Sequence, residues 1–200
     1  MTDTSKTAGQ KHYIRGTGFK PKVVLFWWSG AQTLDDVVSA NSTTYSTGIG
    51  AAISSTSRFC SASFVLADSW AEASKRALRN DSIVRIYAPT GDINNITLDG
   101  ILDFSAMKND GFDVVVSTQF YNRAYKISWL ALGGSDLTDA YIGSSAMPVT
   151  TGEYSVTGVG FQPDFLFFPV PATGSGNSPK RPRTGVPARF HESRALHRST

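Results

Sequence analysis

Hydrophobic and polar residues alternate along much of this chain with a period of two. In Phe112-Asp-Val-Val-Val-Ser-Thr-Gln-Phe120 one face carries Phe112, Val114, Val116 and Thr118. In Tyr125-Lys-Ile-Ser-Trp-Leu-Ala-Leu132 one face carries Tyr125, Ile127 and Trp129. Successive side chains of a strand point to opposite faces, so each pattern predicts a strand with one face in a core. The short link Phe120–Ala124 predicts that these two strands pair as a hairpin. Further segments rich in β-branched and aromatic residues lie at Arg58–Ala67, Ile83–Ala88, Ile96–Phe104 and Asp139–Ile142, between turn residues. Val23-Val-Leu-Phe-Trp-Trp28 is apolar at every position, which predicts a strand covered on both sides.

Two stretches break this rhythm. Ser69–Asn80 reads as a short helix, with a loop as the alternative. Asp68 or Ser69 can cap it, Glu72 sits in its first turn, and Lys75, Arg76 and Arg79 lie toward its end. Trp70, Ala73, Ala77 and Leu78 would form its buried stripe. Ser42–Ser57, rich in Ser, Thr, Gly and Ala and containing Gly48-Ile-Gly-Ala-Ala52, reads as a long loop or an irregular edge. Many short strands, at most one short helix and many Gly turns predict an all-β, two-sheet sandwich of jelly-roll-like type.

An internal repeat is the most informative feature. Gly16-Thr-Gly-Phe-Lys-Pro-Lys-Val-Val-Leu-Phe26 returns 142 residues later as Gly158-Val-Gly-Phe-Gln-Pro-Asp-Phe-Leu-Phe-Phe168. The matched residues are Gly16, Gly18, Phe19 and Pro21 in one copy and Gly158, Gly160, Phe161 and Pro163 in the other, with a final Phe in each. Each copy follows a strand-like segment, His12–Arg15 or Tyr154–Thr157. The glycines allow a turn or bulge, the Phe can anchor it, and the Pro suits the start of a strand. The two copies form equivalent strands of one sandwich, or the second opens a further unit that is cut short. A phosphate-binding loop is disfavoured, because no Gly-Lys-Ser/Thr follows and the next element is a strand.

Composition narrows the class. Of 200 residues only 18% are charged, 12% are aromatic and 18 are Gly, which excludes a coiled coil, a helical bundle and an acidic disordered chain. The longest apolar run, Val23–Trp28, falls far short of the roughly 20 residues of a membrane helix, so no membrane insertion is expected. No secretory signal is legible in Met1–Lys11, which reads as a flexible N-terminus. A single Cys excludes an intrachain disulfide framework and a thiolate zinc site. Cys60, on an alternating segment, reads as a buried structural thiol.

Charge divides the chain. Residues 176–200 hold six basic residues and one acid, so that segment is +5 and the rest −2. The tail has three prolines and no apolar periodicity, and reads as an unstructured end, a basic arm for nucleic acid or another polyanion, or sequence read out of frame. The β-sandwich domain is then 12–175.

Candidate chemistry is sparse. No His lies between Tyr13 and Phe190, so a Ser-His-Asp or Cys-His site would need a terminus to fold back. Asp99 and Asp103 share a face of one putative strand but lie roughly 13 Å apart by strand rise, too far for the usual carboxylate pair. Asn109–Asp113 and Ser135–Asp139 lack the spacing of a calcium loop and read as turns. No catalytic residue, metal or cofactor is assigned. Trp27, Trp28, Trp70 and Tyr121 are the candidate binding aromatics, with Trp27 and Trp28 necessarily on opposite faces.

Four features together carry a resemblance. They are Gly-x-Gly-Phe-x-Pro before an apolar strand, Gly-Ile-Gly at 48–50, Asn-Asp-Gly-Phe-Asp at 109–113 and Tyr-Lys-Ile-Ser-Trp-Leu-Ala-Leu-Gly-Gly at 125–134. Over about Tyr13–Phe168 the pattern resembles repeat-containing virion structural proteins of tailed bacteriophages and prophages, of tail or fibre type. The resemblance implies β-rich modules located on the virion that self-assemble, pair with other virion proteins or contact a host surface, without catalysis. It also implies a full second module after the second motif, where this chain has the basic tail. A carbohydrate-binding sandwich using an exposed aromatic on a surface glycan is the alternative.

Overall fold

The computed structural model describes residues 7–29, 43–67, 72–90, 92–120, 125–146 and 148–169. They form nine strands: β1 (Lys11–Arg15), β2 (Pro21–Trp28), β3 (Thr43–Ala52), β4 (Arg58–Ala67), β5 (Glu72–Arg79), β6 (Val84–Thr90), β7 (Asp92–Lys108), β8 (Gly111–Thr118) and β9 (Ser128–Gly133). No helix occurs among the described residues. All pairings are antiparallel, in a four-stranded sheet of order β1-β8-β7-β6 and a five-stranded sheet of order β5-β4-β3-β2-β9. The chain is the all-β, two-sheet sandwich its pattern predicts.

The core follows from the alternation. β2 turns Val24, Phe26 and Trp28 inward, β4 turns Cys60, Ala62 and Phe64, and β8 turns Phe112, Val114 and Val116, all buried. Aromatic rings join the sheets across this layer. Phe26 of β2 meets Phe112 of β8 edge-on at 5.7 Å and Trp129 of β9 meets it at 5.3 Å, while Phe104 stacks on Phe112 at 6.1 Å within the four-stranded sheet. Such offset and edge contacts add to the burial of large apolar area.

Several expectations need correction. Residues 112–120 and 125–132 do not form a hairpin, because β8 and β9 belong to different sheets. Alternation fixes which face is buried and leaves the neighbouring strand open. Phe120 and Tyr125, on either side of 121–124, have their rings 5.9 Å apart. The helix expected at 69–80 is replaced over Glu72–Arg79 by edge strand β5, paired with β4. Its helix-forming residues express only a weak preference, which pairing with the open edge of β4 overrides.

The loop expected at 42–57 is mostly β3, a strand inside the five-stranded sheet. Its glycines record close packing. A Cβ on Gly48 would sit 2.2 Å from the Trp28 ring, and one on Gly50 would sit 2.0 Å from the Ile83 carbonyl oxygen. Asp139–Ile142 forms no strand. Residues 7–11 are not loose: Gly9 N–H donates to the Val116 carbonyl at 2.8 Å, Val116 N–H to that of Gln10 at 2.9 Å, and Lys11 lies in β1. Residues 134–146 and 148–169 lie in neither sheet. Trp70, Tyr121 and the basic tail at 176–200 fall outside the described residues.

Candidate functional site

The first motif copy is the corner where the chain passes from the four-stranded sheet to the five-stranded one. Gly16 and Gly18 take φ of +87° and +77°, a region that disfavours side chains. Their N–H groups point at one acceptor. Gly16 N–H donates to Asp110 Oδ2 at 3.1 Å and Gly18 N–H to Oδ1 at 2.6 Å. Asp110 sits in the tight turn between β7 and β8, so Asn-Asp-Gly works here as a clamp on the corner. Phe19 lies against Gly133 at the end of β9, where a Cβ would come 2.8 Å from the ring. Pro21 then opens β2 fully buried.

The second copy repeats the corner but not the strand. Gly158 and Gly160 both have φ of +85°, matching the first pair, and Phe161 is again half-buried. Pro163 and the apolar run after it join no sheet. Phe165 is 75% exposed, Leu166 60% and Phe168 71%. Among the described residues the copies are therefore not equivalent strands of one sandwich.

A broad apolar surface lies on the outer face of the five-stranded sheet. Trp28 points into the core at 3% exposure, so its neighbour Trp27 points out, at 43%. Across from β2, Leu130 of β9 pairs with Leu25 and Leu132 pairs with Val23. On the other side Ile49 of β3 pairs with Trp27. Leu130 and Leu132 are exposed, while Val23, Leu25 and Ile49 are half-buried. This face was legible in Tyr125–Leu132, where the positions between Ile127, Trp129 and Ala131 are also apolar at 130 and 132.

Asp103, Asp113 and Asp81 hold structural ion pairs. Arg58 grips Asp103 through two nitrogens at 2.5 and 2.9 Å, tying β4 to β7 across the sheets. Asp113, buried on β8, lies 2.7 Å from Arg15 of β1 and 3.6 Å from Lys108 of β7. Asp99 is buried on the same strand as Asp103. Asp81 accepts from Arg79 at 2.6 Å and from Arg85 at 3.0 Å, and the Arg79 hydrogen bond holds its carboxyl far below the usual range despite partial desolvation. Cys60 is fully buried against the Ser82 hydroxyl at 3.4 Å, and burial raises its thiol pKa. Among the described residues no three His, Cys, Asp or Glu side chains gather as a metal site would require.

An open cleft of about 520 Å³ lies at the start of β2, lined by Lys20, Lys22, Ser54, Ser55, Ser105 and Asp139 among others, with no aromatic side chain. Trp27 is six residues further along β2, roughly 20 Å away by strand rise. The cleft and the exposed ring are thus separate places. No helix among the described residues is long and apolar enough to cross a membrane. Compared with known proteins, the chain matches no family model, no curated protein and no solved structure.

Proposed function

We propose that the protein is a non-enzymatic structural or adhesion module of a phage-type particle, and that it acts by associating with further copies of itself. The observation that carries this reading is the outer face of β2 and β9, where Trp27, Leu130 and Leu132 stand exposed beside Leu25, Val23 and Ile49. Contiguous exposed apolar surface of this kind marks an interaction site. A second copy is the occupant favoured, because the same chain carries an unpaired apolar segment of its own at 165–168. The ionised groups at sheet edges and crossings hold structural pairs, in keeping with a scaffold.

The test is the double variant Trp27→Ser/Leu130→Ser in the full chain. Both side chains are exposed, so folding is retained. Burying each is worth about 1.5–3 kcal/mol, so losing both weakens self-association by at least about a hundredfold. Unchanged self-association would refute this face as the interface. Trp27 also favours a second reading, a glycan platform, because its ring is exposed. That reading predicts loss of retention on a glycan column with self-association unchanged.

A further inference from the structure

The four sheet edges are not alike. Edge strand β1 carries Lys11 and Arg15, β5 carries Lys75, Arg76 and Arg79, and β6 carries Arg85 and Pro89. Charges and proline on an edge discourage a further strand. β9, Ser-Trp-Leu-Ala-Leu-Gly, carries neither. Among the described residues it pairs with β2 alone, so its other side forms an edge of the sheet.

The same chain holds a strand suited to such an edge. Positions 165–168 correspond in the repeat to Val23–Phe26 of β2, the strand that already pairs with β9. They are exposed and joined to no sheet of their own chain. Pro163 and Asp164 precede the run and Pro169 follows it, and positions 165–168 themselves carry no charge. The corner before it has Gly158 and Gly160 at φ +85°, close to the +87° and +77° of Gly16 and Gly18 ahead of β2.

We propose that residues 163–168 of one molecule add as a strand along the open edge of β9 in a second copy. Main-chain hydrogen bonds then supply the pairing, and alternate side chains read the face beside it. Phe165 and Phe167, the counterparts of Val23 and Leu25, extend the apolar surface of Leu130 and Leu132. Donor and acceptor are different elements, so one-way addition yields rings or filaments and mutual exchange yields a two-fold dimer. The proposal rests on the self-association argued above and names its element.

Leu166→Pro in the full chain tests it, because proline removes a donor from a segment that pairs with nothing in its own molecule. Sedimentation velocity is read together with amide hydrogen exchange over 128–133 in both chains. The expected result is a wild-type mass at a multiple of 21.5 kDa and a variant at 21.5 kDa with unchanged melting temperature. Exchange over 128–133 rises on the order of tenfold or more in the variant. It rises likewise when wild type is diluted, a readout independent of any substitution. A variant with wild-type mass and protection overturns strand addition while self-association stands. A wild-type chain at 21.5 kDa at every concentration overturns both.

Discussion

Single residues decide how closely the strands of this sandwich approach. Gly50 lies where the Ile83 backbone passes over β3, and a methyl there would meet a carbonyl oxygen at 2.0 Å. A backbone obstacle cannot rotate away, so Gly50→Ala costs about 1–3 kcal/mol or more, seen as a lower denaturant midpoint. Full stability in that variant would contradict the packing described. Asp81 sets an acid limit. Its carboxyl is held below the ordinary value of about 4, mainly by the Arg79 hydrogen bond. Its contribution is therefore complete above about pH 4 and is lost as pH falls toward the lowered folded value. In Asp81→Asn the stability curve flattens over that acid range, by a modest amount that salt reduces, since Asp81 and Arg79 are about half exposed. An unchanged acid limb would contradict the role given to the Arg79 and Arg85 contacts.

At the scale of elements, legibility followed alternation. Phe112, Val114 and Val116, and Ile127 with Trp129, face the core as their spacing implies. Composition misled where packing demanded small residues. Gly48-Ile-Gly-Ala-Ala52 resembles a loop because side chains there are excluded by Trp28 and Ile83, a cause visible only once the strands are assembled. Glu72–Arg79 resembles a helix because its residues are good helix formers, yet Ala77 and Leu78 fall on opposite faces of an edge strand. Strand partners were the least legible, since β8 and β9 are adjacent in sequence and lie in opposite sheets. The Gly-x-Gly-Phe-x-Pro corner was legible as a turn, but its clamp was not: Asp110 is 92 residues away from Gly18. Asp110→Ala leaves two N–H groups to water and loosens the passage from β1 to β2. A drop of a few degrees in melting temperature is expected, and no drop would show that the corner holds itself.

At the scale of the molecule, the last sheet strand among the described residues ends at Gly133. The basic segment 176–200 has a net charge of +5 against −2 for the rest, and no apolar period. Removing it leaves the melting temperature unchanged and lowers retention on a cation-exchange column. A large fall in melting temperature would show that the tail supports the sandwich. What the fold leaves exposed is more telling than what it buries. An apolar outer face on β2 and β9, an uncharged edge on β9 and a spare copy of the β2 motif are the features on which the proposed self-association rests. The most direct measurement is the mass of the full chain in solution by light scattering across a hundredfold range of concentration. The account predicts a mass that rises above 21.5 kDa as concentration increases. A mass fixed at 21.5 kDa throughout would contradict it.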